Sequence, residues 1–181
     1  GDIYGISGGL APLKVVVPEF STKTIQQSTP VSGKTNRLTL TLASNFDLTA
    51  GSLGAAVTIT GLTGSVTPTS SSLAVTTTSC DKFDSQANWN INGTLILSIS
   101  SSLSANTVCK LSFILTNPSS DQASPAVSLQ GVLTDGTKVI GIISSTAMAK
   151  PGTSRRGIVN GWDPLRVVVP VFEVRRISQS T

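Results

Sequence analysis

Pro12-Leu13-Lys14-Val15-Val16-Val17-Pro18-Glu19-Phe20 recurs near the other end of the chain as Pro164-Leu165-Arg166-Val167-Val168-Val169-Pro170-Val171-Phe172. The match runs without a gap from Gly5–Thr29 to Gly157–Thr181, at a constant offset of 152 residues and with fourteen of twenty-five positions identical. Lys14/Arg166 and Lys23/Arg175 also keep their charge. Repetition at a fixed offset marks a repeat architecture, so the chain reads as one full module followed by the opening segment of another. The expected division is a linker at 1–11, a module at 12–150, a second linker at 151–163, and the start of the next repeat or a donated strand at 164–181.

A leucine near three consecutive valines, with prolines on either side, describes an extended segment that is apolar on both faces. Such a run predicts a strand buried on both sides, with ends set by residues that cannot donate to a ladder. One module needs one such strand. A second copy left in water would be a flat hydrophobic edge, which natural proteins avoid because it templates pairing. Leu165–Phe172 is therefore expected to enter the next module of an array, to fill a groove on a neighbouring chain, or to lie beside its twin in one sheet. The first two outcomes make a structural polymer, and the third makes a monomer. The polymer reading assigns assembly to Leu13, Val15, Val16, Val17 and Phe20 in the first copy. In the second it assigns Leu165, Val167, Val168, Val169 and Phe172, buried against a module other than the one containing Asn36–Ser145.

Outward from the repeat, apolar alternation continues. Asn36–Ala43 places Leu38, Leu40 and Leu42 on one face, and Val57–Leu62 and Leu73–Thr78 repeat the pattern. Trp89–Ser100 reads as one long strand with Trp89, Ile91, Leu95, Leu97 and Ile99 in phase and Gly93 as a bulge. Cys109, Leu111, Phe113 and Leu115 share a face, and Asp135-Gly136-Thr137 joins Val127–Thr134 to Val139–Ser145 as a hairpin. About eight strands and no amphipathic helix predict an all-β fold. The expected form is an antiparallel immunoglobulin-like β-sandwich with an extended N-terminal strand and a duplicated C-terminal strand arm.

Composition agrees with many short strands joined by polar turns. Fifty residues are Ser or Thr and 16 are Gly, while only 12% are charged and 4% aromatic. Lightly charged β proteins of this kind are typical of cell surfaces and secreted matrices. The net charge of +4 is uneven: a mildly acidic body is followed by a basic tail of Lys150, Arg155, Arg156, Arg166, Arg175 and Arg176 against Asp163 and Glu173. Opposite ends of this kind steer head-to-tail association, although solvated arm residues have the same composition. Without interleaved aromatics or a binding motif, nucleic acid is not an expected partner. Cys80 and Cys109, the only two cysteines, read as one disulfide. No apolar run has the length of a membrane span, and no signal peptide is visible, as expected of a mature product or a fragment.

The chemistry of a catalytic site is sparse. Without histidine, most triads, most zinc sites and the commonest general base are excluded. Asp81 and Asp84 form a close carboxylate pair in an irregular stretch, which is a solvated loop more often than a calcium site. Glycines fall in linkers and not between a strand and a helix, so phosphate-loop readings fail. The sequence therefore predicts no enzyme, no metal and no cofactor. Asn92-Gly93-Thr94 is an acceptor site for an N-linked glycan, whereas Asn117-Pro118-Ser119 is blocked by its proline.

The passage Leu115-Thr116-Asn117-Pro118-Ser119-Ser120-Asp121-Gln122-Ala123-Ser124-Pro125-Ala126-Val127, after Val57-Thr58-Ile59-Thr60-Gly61-Leu62-Thr63-Gly64, resembles β-sandwich repeats of large secreted, glycosylated surface proteins of algae and other protists. These include filament proteins of mastigoneme type. The resemblance covers residues 25 to 146 and implies an extracellular building block; the duplicated arm lies outside it. Together these observations predict a structural subunit of an extracellular filament, joined to copies of itself head to tail and carrying covalent glycans. A carbohydrate-binding or adhesive surface module, with Trp162 and the Trp89 region contacting sugar, is the alternative.

Overall fold

The computed structural model describes residues 1–51, 53–172, 174 and 176–179. Glu173 and Arg175 of the basic tail, and Ser180 and Thr181 of the repeat, lie outside the described residues. Among those described are nine strands and no helix: β1 (Phe20–Gln27), β2 (Thr35–Ser44), β3 (Ala56–Thr60), β4 (Ser70–Thr77), β5 (Gln86–Asn90), β6 (Thr94–Ser98), β7 (Cys109–Thr116), β8 (Ser128–Thr134) and β9 (Val139–Ala147).

All strand pairs are antiparallel, in the order β1-β2-β7-β4-β5-β6-β3-β8-β9. The sheet turns at β4, whose first half pairs with β5 and whose last residues, Val75–Thr77, pair with β7. Its two outer strands then approach one another. Thr24 of β1 bridges Ala149, just past β9, in parallel, and the Ile25 and Ala149 amides donate to Ala149 O and Lys23 O at 3.1 and 2.8 Å. The result is a nearly closed, barrel-like wrap that leaves little open edge.

Period-two alternation fills the inside. Leu38, Leu40 and Leu42 of β2 face Cys109, Leu111 and Phe113 of β7 in register and are fully buried. Val57 and Ile59 on β3, and Leu95 and Leu97 on β6, close the opposite wall. Each such side chain contributes about 1.5–3 kcal/mol by leaving water. Trp89 lies in this core as its phase predicts, its indole N–H donating to Thr67 O at 3.0 Å. Cys80 and Cys109 are disulfide-bonded, with Cα atoms 5.3 Å apart, and tie the chain beyond β4 to the start of its neighbour β7.

The structure corrects two strand assignments. Trp89–Ser100 is not one strand: it turns at Ile91-Asn92-Gly93 into the β5–β6 hairpin, leaving Ile91 exposed. Gly93 has φ +95°, and a Cβ there would lie 2.7 Å from the Leu62 carbonyl carbon, so this position demands glycine. Nor is Leu13–Phe20 a two-sided buried strand. The ladder begins only at Phe20, because Pro12 and Pro18 lack amide donors and Leu13 has a left-handed φ of +59°.

Candidate assembly site

Phe20, the last apolar residue of the first Val-Val-Val-Pro segment, is fully buried in its own module at the head of β1. The rest of that segment is not: Leu13 is 97% and Val15 84% exposed, and Val17 is also exposed, with Val16 half-buried. In the second copy the same positions are covered, Leu165 and Val167 both at 0%. Val168 is half-buried, while Val169 and Phe172 are exposed. The second copy thus packs against the module that contains Asn36–Ser145, not against a different one as the sequence predicted. Among the described residues no backbone bridge joins it to its twin. The chain satisfies this apolar run locally, in a slot of its own module.

Three segments build the slot: the end of β1, the turn at residues 28–33, and the β7–β8 connection. Val167 exchanges both backbone hydrogen bonds with Gln122 at 2.9 Å, and Val168 donates to Pro30 O (2.8 Å) and accepts from Ser32 N–H (3.1 Å). The inserted segment is therefore held between an antiparallel bridge to Gln122 and a parallel bridge to Val31. Side chains add contacts to its carbonyls. Gln122 Nε2 donates to Leu165 O at 3.0 Å and Ser124 Oγ to Pro164 O at 2.7 Å.

Behind them lies a buried amide network. Gln27, 1% exposed, donates from Nε2 to Gly161 O and Arg166 O at 3.0 and 2.8 Å, while its Oε1 accepts from Asn36 Nδ2 at 2.8 Å. Asn36 Nδ2 also reaches Asn117 Oδ1 (2.8 Å), and Asn117 Nδ2 donates to Thr29 O and Val31 O. Asn36 and Asn117 are both fully buried. Buried polar groups are costly unless every one is paired, and among the described residues no buried side-chain nitrogen or oxygen lacks a partner. The network thus holds the turn and the inserted segment at fixed distances from β1 and β2.

At the rim, Arg155 stacks over Trp162 at 3.7 Å from the ring centroid and donates from Nε to Ser28 O at 2.6 Å. Burial, with Arg156 nearby, pushes the Arg155 guanidinium below its ordinary value. Asp163 Oδ1 accepts from Gly152 N–H at 2.8 Å.

The two copies share one backbone shape. Ile3 and Ile6 exchange hydrogen bonds, as do Arg155 and Ile158, around central residues with positive φ: Tyr4 +53° and Gly5 +76°, Arg156 +52° and Gly157 +79°. That is the requirement of a tight hairpin turn of type I′. The bonds from the amides of Gly9, Leu10, Ala11 and Lys14 recur from Gly161, Trp162, Asp163 and Arg166, every partner displaced by 152. Gly9 and Gly161 are both required, since a Cβ would come within 3.0 Å of the Ile6 carbonyl oxygen in one and 2.8 Å of Ile158 O in the other. Leu13 and Leu165, at φ +59° and +53°, repeat even the strained conformation.

The first copy is attached elsewhere on the module. Tyr4 O accepts from Asp47 N–H at 3.0 Å, and Asn45 holds the far side through Glu19 N–H and Val17 O. Asn45 and Asp47 follow the C-terminal end of β2, whereas the slot lies by its N-terminal end. A ten-residue strand spans about 33 Å, so the open copy and the filled slot mark opposite ends of the module.

The sequence pointed to the inserted segment but not to its receptor. Asn36 falls in phase with Leu38 and Leu40, and Gln27 recurs as Gln179; these were the available signals for buried amides. Asn92 is exposed on the β5–β6 turn, open to a glycan. Among the described residues no group of three or more His, Cys, Asp or Glu side chains is placed to hold a metal ion, and Asp81 accepts from Thr77 Oγ1. No helix among them is long and apolar enough to cross a membrane.

No family model matches the chain, and no curated protein matches it. Among solved structures it is similar to AvmM, described as catalysing macrocyclization in alchivemycin A biosynthesis, at 10% identity over 76% of this chain and 90% of that one, with a TM-score of 0.34.

Proposed function

We propose that the chain is a structural repeat of an extracellular filament, linked head to tail through the duplicated segment and carrying no catalytic site. The observation that carries this reading is the pair of like-shaped segments at opposite ends of one module, one seated and one open. A module with a receptor at one end and a matching insert at the other makes a heterologous contact, which extends into a fibre. We read the wrapped sheet as an immunoglobulin-like sandwich divided at β4. The disulfide is compatible with an oxidising extracellular setting, and the resemblance to mastigoneme-type repeats points the same way. A sugar-binding role is less favoured, because Trp89 is enclosed in the core and one face of Trp162 is covered by Arg155.

Negative-stain microscopy of native material tests the proposal. Unbranched filaments with a regular axial bead are expected; discrete particles that never join end to end would reject it.

A further inference from the structure

We infer that the slot formed by Gln27, Pro30, Ser32, Gln122 and Ser124 is the receptor for the first copy, Gly9–Val16, of another module of this same kind. The inference rests on the filament reading and names its contact. Nearly all the hydrogen bonds that seat the second copy go to its backbone: the carbonyls of Gly161, Trp162, Pro164, Leu165 and Arg166, and the amides and carbonyls of Val167 and Val168. A receptor that reads backbone accepts any segment of the right shape whose inward side chains fit. The first copy has that shape, with the same turn hydrogen bonds and the same positive φ values.

Its inward side chains fit as well. Pro164, Leu165 and Val167 are the buried apolar residues of the seated copy, and their counterparts Pro12, Leu13 and Val15 are identical. The differences are Ile3, Leu10 and Ala11 for Arg155, Trp162 and the buried Asp163, and Lys14 for Arg166, whose guanidinium donates to Gln122 O at 3.0 Å and whose charge and donor a lysine keeps. Losing the Arg155–Trp162 stack leaves the central contacts in place. The first copy holds a strained φ at a nearly fully exposed leucine, so it is already in the bound conformation and binding need not order it. Among the described residues of the single chain the amides of Val15 and Val16 meet no acceptor, although those of their counterparts both do. Because Asn45 and Asp47 fix the copy at the end opposite the slot, it is presented outward, to a second module.

The test is a fusion of residues 1–152 to the full 181-residue chain, which preserves the natural spacing and offers the first unit only a first copy as its insert. In the unfused chain the amides of Val167 and Val168 should be protected from hydrogen exchange, and those of Val15 and Val16 should exchange freely. In the fusion the internal Val15 and Val16 amides should slow about a hundredfold or more, as for amides that exchange only through local opening. Gln122→Ala in the first unit alone, which removes the side-chain donor to the inserted leucine's carbonyl, should speed exchange of those internal amides while leaving the second unit's Val167 slow. If the internal copy exchanges as fast as the terminal one, or the first unit fails to fold with this insert, the inference is overturned. Filaments in native material would then still support the structural role with a different joint. Conversely, a protected internal copy without native filaments would leave the receptor standing and remove the filament.

Discussion

Gln27 is the residue on which the slot depends, because one side chain satisfies two carbonyls of the inserted segment and one amide of the network behind it. Replacing it with alanine leaves Gly161 O, Arg166 O and Asn36 Nδ2 short of partners in a dry site. The cost should be about 3 kcal/mol, since each unsatisfied buried group costs roughly 1–3 kcal/mol. Urea unfolding of Gln27→Ala against the parent measures it, and a change within experimental error would show that water replaces the amide. Asp135 is a second single-residue case. Its carboxylate accepts from the Thr137 hydroxyl and from the Thr137 and Lys138 amides, and these bonds lower its pKa to about 2. The folded value lies below the unfolded one, near 3.9. The contribution is therefore fully present above about pH 4 and is lost as pH falls through about 2. A carbon-13 titration of the Asp135 carboxyl should give a midpoint near about 2; a midpoint near 4 would mean that the turn does not hold it.

Among the elements, β2, β7 and the β8–β9 hairpin were legible in the sequence because they alternate cleanly between a core face and a polar one. Where both the alternation and the turn chemistry were misread, the assignment failed: Asn92-Gly93 is a hairpin turn signal that lay inside an apparently continuous apolar phase. The valine triplet was misread for another reason. Its apolar character did predict burial, but the prolines and the left-handed leucine prevent a ladder, so the segment is held by single bridges and by side-chain donors. Its receptor was illegible, since the phase of Asn36 with Leu38 and Leu40 marks it as inward but does not name Gln27 and Asn117 as its partners. The Cys80–Cys109 pair was read correctly from composition. It closes a loop of 29 residues between β4 and β7, and removing it with Cys80→Ser and Cys109→Ser should cost about 3–4 kcal/mol on the chain-entropy estimate. Thermal unfolding of that double variant checks the figure, and an unchanged midpoint would show that the β4–β7 pairing constrains the chain by itself.

For the whole molecule, the low charge and the abundance of serine and threonine leave a surface with little electrostatic repulsion between neighbours. A glycan at Asn92 would project from the β5–β6 turn, which lies at the slot end of the module beside Leu62 and Thr63. In material from a eukaryotic secretory source, enzymatic deglycosylation should shift the mass of the peptide containing Asn92; an unshifted peptide would leave the exposed turn bare. The parallel bridge between Val31 and Val168 has a mechanical consequence. Suppose an array is pulled along its length, with force entering at Phe20 and leaving beyond Val168. The shortest route between those points runs along β1, through the turn at residues 28–31 and across the bridge, and it bypasses β2–β9. Because the two joined segments run parallel and are pulled from opposite ends, their hydrogen bonds are sheared together and not peeled one by one. Resistance to force is a matter of the unfolding barrier. The body of each module would therefore be bypassed by much of the load until its slot gives way, the rest passing through the Val167–Gln122 pair to the β7–β8 connection, and the slot would act as the mechanical clamp of the array.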